Sequence, residues 1–297
     1  MPRFAHVVPA SSERERVVAY AARVFDVLAS RSQARKALKA GHLLRNGEQC
    51  STAWFVSEGD ELVLTLSDAP RLPMLKMDLD VVYEDKWLAV VRKPAGIHVR
   101  GNRARTVHRA LRYNLGISEE LDALPDLDPV HRLDYRTSGL LLVARTASAR
   151  RDLCRLFETR QIHKRYRAVL VGRLEGEGEV KTPLDGREAH TGWRAVSHTR
   201  SLHVGWLTAI DLFPYTGRTH QLRRHMTELG HPVLGDDLHH NGQIFRGGGL
   251  FLTAVEQGFV HPVTGKQLNP QIPPPSKFQA LTLREQRRWE RWNEGER

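Results

Sequence analysis

A short apolar run restricts the fold of this chain more than any other feature. Residues 139–144 read Gly-Leu-Leu-Leu-Val-Ala, which is typical of a strand buried on both faces. Strand-like segments accompany it at 80–83, 87–91, 166–171 and 206–213, and helical patterns at 106–115, 148–159 and 222–229. The strands do not alternate one-for-one with helices, which argues against a strictly parallel α/β sheet. We therefore predict an α+β domain with a mixed, mainly antiparallel sheet and a central cleft.

Prolines divide the chain into domains. Pro70 and Pro73 lie in a segment, 69–73, that reads as a linker, because neither a helix interior nor a central strand accommodates proline. We predict a small helix-strand domain at 1–70, a main domain at 76–280 and a charged C-terminal helix or tail at 281–297. In the first domain, a basic helix is expected to stop at Gly41, and Asn46-Gly47 indicates a tight hairpin turn before a strand at 61–66.

The charge of the chain favours a polyanionic partner. Lys and Arg number 45 against 34 Asp and Glu, a formal net charge of +11, which suits nucleic acid, a membrane surface or a phosphorylated substrate. No apolar run approaches the roughly 18 residues of a membrane span. The two cysteines are too few for a disulfide scaffold, and no Cys-x-x-Cys or His-Glu-x-x-His pattern indicates a metal site. We expect a cytoplasmic monomer that binds neither metal nor membrane.

The segment 131–139, His-Arg-Leu-Asp-Tyr-Arg-Thr-Ser-Gly, leads directly into the buried strand. Asp134 lies there among turn-forming residues, and a loop anchored by a core strand holds its side chains rigidly. Arg132 and Arg136 lie two residues to either side, and their charges favour an ionised carboxylate. An ionised aspartate can act as a nucleophile or a base. The alternative is a loop aspartate with a purely structural ion pair.

Other motifs follow in order along residues 76–275: Lys-Pro-Ala-Gly at 93–96, Lys-Arg-Tyr at 164–166, Gly-Arg-Thr-His-Gln at 217–221 and Gly-His-Pro-Val-Leu-Gly-Asp at 230–236. Together with 131–142, they resemble the RluA-type pseudouridine synthases. The first domain, with its 32–41 helix, Arg-Asn-Gly at 45–47 and Gly-Asp at 59–60, resembles the alpha-L RNA-binding module of ribosomal proteins. The resemblance implies an enzyme that isomerises uridine in structured RNA without a cofactor. The N1–C1′ bond breaks, the uracil reorients, and C5 bonds to C1′.

The resemblance also implies roles for particular residues. The catalytic aspartate of the family falls at Asp134, which either attacks the sugar carbon or removes the C2′ proton. Arg218 corresponds to the arginine that pairs with this aspartate. Tyr166 corresponds to the tyrosine that lies against the target base, where its hydroxyl can assist proton removal from C5.

Three further residues are predicted to contact the substrate without taking part in the reaction. The resemblance implies two of them, and the third comes from the Lys-Pro-Ala-Gly loop. Arg132 corresponds to the arginine that enters the RNA stack when the uridine is flipped out, and Leu222 to an apolar wall of the uracil pocket. Lys93 is a candidate contact to a backbone phosphate. The chain departs from the family pattern at His239, often tyrosine, and at Thr253, often histidine, which leaves the subfamily open.

Basic residues away from the motifs predict the RNA-binding surface. Phosphate contacts of this kind give affinity without sequence choice. The predicted set is Arg31, Arg35, Lys36, Lys39, Arg45, Arg103, Arg105 and Arg109. The module favours ribosomal RNA of the large subunit as the substrate. The alternatives are transfer RNA, a non-catalytic RNA-binding or chaperone protein on the same fold, and a glycosidase, for which no second catalytic carboxylate is evident.

Overall fold

The structure, a computed structural model, describes residues 3–10, 14–25, 27–28, 31–65, 73–240 and 248–295. Most of the predicted linker at 69–73 and the last residue of the predicted strand at 61–66 lie outside these ranges. Within the described part of the chain, no helix is both long and apolar enough to cross a membrane.

The N-terminal domain is a four-stranded antiparallel sheet with two helices. The strands lie in the order β1-β4-β2-β3. The two helices bury one face each, so that Tyr20 of α1 and Leu38 of α2 join Leu64 of β4 in a common core. The elements are β1 (Arg3–Val7), α1 (Val17–Val24), α2 (Arg31–Lys39), β2 (Leu43–Arg45), β3 (Glu48–Gln49) and β4 (Glu61–Thr65).

Two sequence signals of this domain are confirmed. Helix α2 ends where Gly41 takes a φ of 75°, a left-handed conformation that favours glycine, and the amide of His42 donates back to the carbonyl of Ala37. Asn46 and Gly47 take φ values of 51° and 82° and connect β2 to β3. Positive φ at both turn residues is what a two-residue hairpin requires.

The second domain is built on a sheet of ten strands in the order β10-β11-β12-β9-β13-β8-β6-β5, with β7 beside β8 and β14 beside β13. Every described pairing is antiparallel except that of β8 with β13. The predicted α+β class and mainly antiparallel sheet are therefore confirmed. The strands are β5 (Asp80–Glu84), β6 (Leu88–Lys93), β7 (Ala123–Pro129), β8 (Ser138–Thr146), β9 (His163–Val171), β10 (Glu177–Val180), β11 (Thr191–Ser201), β12 (Gly205–Pro214), β13 (Leu252–Val260) and β14 (Gln267–Leu268).

Strand β8 contains the apolar run and is covered on both faces, as predicted. Leu141 and Val143 pack in one cluster with α3 (Val107–Asn114). Leu140 and Leu142 pack in another with α4 (Ala147–Glu158). Both helices begin at a threonine whose hydroxyl accepts a hydrogen bond from an amide of the first turn, which satisfies one of the free amides there. The remaining helices are α5 (Gln221–Glu228) and α6 (Ser276–Gly295).

The C-terminal helix differs from the prediction. Helix α6 begins at Ser276, so the predicted boundary between 280 and 281 falls inside a continuous helix. Phe278 and Leu281 pack in one cluster with the strand residues Val169 and Leu207, which joins the first turns to the main domain. The carboxylate of Glu285 is fully buried and accepts a hydrogen bond of 2.7 Å from the Ser201 hydroxyl. The first half of α6 is therefore part of the main domain's core.

Candidate active site

A cavity of about 590 Å³ opens beside β9 and the start of α5. This volume lies within the range of small-molecule pockets, roughly 300–1,000 Å³. Five of the six residues that the sequence predicted for catalysis or substrate binding line it: Arg132, Asp134, Tyr166, Arg218 and Leu222. Segments distant in sequence are thus brought together around one space, as the prediction of a central cleft requires.

Hydrogen bonds from the 93–96 segment fix the loop that contains Asp134. The Lys93 ammonium donates to the carbonyl oxygens of Tyr135 (3.3 Å) and Thr137 (2.7 Å), on either side of the turn. The Gly96 amide donates to the Tyr135 carbonyl at 2.8 Å. Strand β8 then begins so close to β13 that a Cβ at Gly139 would overlap backbone atoms of the neighbouring strand. The Lys-Pro-Ala-Gly segment and the core strand together fix where Asp134 lies.

The predicted phosphate contact of Lys93 is wrong. Its side chain is fully buried, and Nζ also donates to the Pro94 carbonyl at 2.9 Å. Burial lowers the pKa of Lys93 to about 8, although the negative charge of Asp134 acts in the opposite direction. Lys93 therefore stabilises the loop from within the protein and is not accessible to an RNA phosphate.

Asp134 lies at the cavity wall with 23% of its side chain exposed. Two of the three arginines expected beside it are engaged elsewhere among the described residues. Arg136 forms an ion pair with Asp237, and the Arg218 Nε donates to the Glu188 carbonyl at 2.8 Å. The predicted pairing of Arg218 with Asp134 is therefore absent, because the loop geometry directs the guanidinium to the rim.

A histidine lies close to Asp134. His220 Nε2 lies 3.9 Å from Asp134 Oδ1, and its Nδ1 shares a hydrogen bond of 2.9 Å with His239 Nε2. His220 takes a left-handed φ of 55°, which costs a non-glycine residue about 1 kcal/mol or more. Surrounding contacts therefore hold the ring at this place. Sequence reasoning missed His220 as a site residue, although it stands inside the Gly-Arg-Thr-His-Gln motif.

A buried amide organises the loop before α5. Gln221 Oε1 accepts from the Thr216 hydroxyl (2.7 Å) and the Arg218 amide (3.0 Å). Its Nε2 donates to the His190 carbonyl and the Thr191 hydroxyl, both at 2.9 Å. All four hydrogen bonds that this side-chain amide can form are thus made, which makes the loop rigid at the cavity rim.

Loop 236–239 is tied to the same rim by a buried ion pair. The Arg223 guanidinium binds the Asp236 carboxylate with both Nε and an Nη, and the two side chains are 2% and 0% exposed. Asp236 also accepts from the amides of Leu238 and His239, each at 3.0 Å. These bonds lower the pKa of Asp236 despite its burial. They place His239 against His220.

Tyr166 and Leu222 form the inner wall of the cavity. Tyr166 lies on β9 between two apolar clusters, and both burial and the charge of Asp134 raise the pKa of its hydroxyl. Leu222 is 7% exposed and packs in the core while it also lines the cavity, where the sequence predicted an apolar wall. Arg132, by contrast, is exposed at the mouth.

His131 is a second residue that sequence reasoning did not assign to the site. Its Nε2 accepts a hydrogen bond from the Leu142 amide at 3.0 Å, and its ring lies 4.7 Å from that of Phe157. Burial and the nearby Lys164 lower the pKa of His131 to about 3, so the ring is neutral at pH 7. It anchors the start of the Asp134 loop to β8.

The predicted RNA-binding residues fall into two groups. Arg45 is engaged in an ion pair of 2.7 Å with Asp60 and lies over the Trp54 ring, so it stabilises the hairpin. Arg109 is half-buried on α3. The other predicted residues are exposed: Arg31, Arg35, Lys36, Lys39, Arg103 and Arg105.

Comparisons with known proteins agree with the geometry. Residues 87–228 match the family described as RNA pseudouridylate synthase, and residues 27–62 match the S4 domain. A ribosomal large subunit pseudouridine synthase D of Xanthomonas campestris is 32% identical over 93% of this chain and 90% of its own length. A tRNA pseudouridine synthase C of Pasteurella multocida is 33% identical over 65% of this chain and 90% of its own length. The structure of human RNA pseudouridylate synthase domain containing 1 covers 68% of this chain and 86% of its own, with a TM-score of 0.57 and 26% identity.

Proposed function

The chain belongs to the RNA pseudouridylate synthase family, and we propose that it isomerises uridine in large-subunit ribosomal RNA. The N-terminal S4 domain is the observation that supports this choice of substrate. The large-subunit relative from Xanthomonas aligns with 93% of the chain, whereas the transfer-RNA relative aligns with 65% of the chain and yet 90% of itself. The match over nearly the whole chain, which includes the N-terminal domain, therefore favours large-subunit ribosomal RNA over transfer RNA as the substrate.

Asp134 is the proposed catalytic residue. Pseudouridine formation breaks N1–C1′, forms C5–C1′, removes the proton from C5 and leaves a proton on N1. Asp134 presents its carboxylate to the cavity from a loop held rigidly on β8 and Lys93. Attack on C1′ and removal of the C2′ proton both require an ionised carboxylate beside the ribose, and this position supplies one for either route.

The other cavity residues suit the remaining parts of a flipped nucleotide. The Tyr166 ring offers an aromatic face to the uracil, and its hydroxyl stays protonated at pH 7 because burial and Asp134 raise its pKa. Leu222 adds an apolar wall. Arg132 and Arg218 supply positive charge at the mouth, where the phosphates of an extruded nucleotide would lie.

Release of tritium from RNA labelled at C5 of uridine tests the chemistry. Total RNA from a strain that lacks the enzyme is the substrate, so that the assay does not depend on which RNA is modified. Asp134→Asn removes the charge at constant size and should abolish release. Asp152→Asn, at a surface carboxylate of α4, is the matched control and should retain full release.

Mapping of pseudouridines in the same strain tests the substrate. Loss of pseudouridine from large-subunit ribosomal RNA supports the proposal. Loss confined to transfer RNA would show that transfer RNA is the substrate, and the proposed reaction would stand. If an Asp134→Asn strain keeps all cellular function of the protein, the alternative of a non-catalytic RNA-binding protein on this fold gains support. Release of free uracil would instead indicate glycosidase chemistry.

A further inference from the structure

An exposed aromatic ring stands at the rim of the cavity without a role in the chemistry described above. Tyr215 lines the cavity just before the Thr216–Arg218 turn and is 45% exposed. Single exposed apolar residues are common on protein surfaces and need no explanation. The surroundings of Tyr215 distinguish it from such residues, because the ring rests on a support that is itself fixed.

The support is the segment that joins Glu188 to β11. The His190 ring packs against the Tyr215 ring in a tilted arrangement, with centroids 4.4 Å apart and an interplanar angle of 41°. The Tyr215 amide donates to the His190 carbonyl at 3.0 Å, and the His190 amide donates to the Thr216 hydroxyl at 2.8 Å. These two hydrogen bonds therefore join the segment at His190 to residues 215–216 beside the two rings.

A glycine on β11 allows the Tyr215 ring to lie close to the backbone of that strand. Gly192 has no side chain, and a Cβ there would lie 3.1 Å from the Tyr215 hydroxyl oxygen and 3.2 Å from a ring carbon. The tyrosine therefore lies close against the backbone of β11 on one edge and against His190 on one face. Nearly half of the residue is exposed to solvent at the cavity rim, and a ring held by these contacts requires little ordering when a ligand binds.

The chemistry around the ring identifies the ligand. Arg132, Lys164 and Arg218 line the same cavity and suit a polyanion. The rigid, exposed aromatic face suits a nucleobase, because stacking requires only a π-face. We propose that Tyr215, supported by His190, is a stacking site for the unpaired base next to the target uridine. The inference rests on the proposed function, since it places a neighbour of the nucleotide that reacts at Asp134.

Substitutions at Tyr215 separate stacking from other roles. In the tritium-release assay with total RNA from the strain lacking the enzyme, Tyr215→Leu should raise KM about tenfold and leave kcat within about twofold. Tyr215→Phe keeps the ring and should retain the wild-type KM. Trp292→Leu is the matched control, because it removes an exposed ring on α6, outside the cavity, and should change neither constant.

A second readout does not depend on catalysis. Tyr215→Trp introduces a ring whose emission should fall when the same RNA is added, beyond any fall shown by the wild-type tryptophans. Equal KM values for the Leu and Phe variants, a loss confined to kcat, or no additional quenching in the Trp variant would each overturn the inference. Absence of tritium release by the wild-type protein would contradict the proposed function instead, and the quenching measurement would still test the stacking site.

Discussion

Replacement of Lys93 by methionine should change how stability depends on pH. Lys93 is fully buried, and burial lowers its pKa from 10.5 to about 8. The folded protein therefore disfavours the ammonium form that the unfolded chain prefers. Below pH 8 this cost is complete, and it is relieved as pH rises from 8 towards 10.5, because the unfolded state binds more protons in that interval.

The size of the effect follows from the shift in pKa. Each pKa unit corresponds to about 1.4 kcal/mol, so the full cost is about 3 kcal/mol below pH 8. Between pH 7.5 and pH 10, about 2 kcal/mol of it is recovered. Lys93→Met has no titrating group at this position. The free energy of unfolding of the wild type should therefore rise by about 2 kcal/mol relative to the variant over that interval.

Urea unfolding at half-unit steps of pH measures this difference. The Lys93→Met variant also loses the hydrogen bonds to the loop carbonyls. This loss lowers its free energy of unfolding by the same amount at every pH, so it does not change the slope that is measured. Lys86→Met is the matched control, because that ammonium is 69% exposed and loses little solvation on folding. Parallel curves for wild type and Lys93→Met between pH 7.5 and pH 10 would refute the reasoning.

Four other substitutions test separate parts of the structure. Asp236→Asn leaves its arginine partner buried without a counter-charge and should lower the free energy of unfolding by about 3–5 kcal/mol in urea; a loss below 1 kcal/mol would contradict that. Gly139→Ala drives a methyl group into the backbone of β13 and should lower Tm, with a cost of about 1–3 kcal/mol or more, whereas an unchanged Tm would show that the strands can separate freely. Arg35→Ala should make the salt dependence of RNA binding less steep by about one unit of log K per log salt, while Arg45→Ala should instead lower stability by about 1 kcal/mol; equal effects on binding would contradict the division between the two.

Local signals predicted the fold well. The buried strand β8, the hairpin turn at Asn46 and the helices α3 and α4 each depend on residues close in sequence, and all were predicted, although the threonine caps of the two helices were not. Strand β11 was not, because its sequence is largely polar and its pairing with β12 contains an irregularity near Ala195. Its register depends on β12, which closes against it through the turn at 202–204.

The sequence predicted which residues line the cavity better than it predicted the partners that these residues bind. The motifs placed five residues around one cavity, but the partners of Arg136 and Arg218 lie about 100 and 30 residues away along the chain. No local pattern reveals such pairings. Lys93 was misjudged for a related reason: a lysine beside proline and glycine reads as part of an exposed turn, and only the tertiary structure shows three carbonyls that surround its ammonium.

The position of β13 has a consequence for the assembly of the active site during synthesis. Asp134 leads into β8 and Tyr166 lies on β9, yet these strands are not adjacent, because β13 lies between them. The chain thus makes both residues long before it makes residues 252–260, which complete the sheet. Non-local pairing of this kind forms late in folding. A nascent chain on the ribosome should therefore carry Asp134 and Tyr166, the proposed site residues, before β13 has emerged to complete the sheet between them, and it is surrounded by RNA throughout that time.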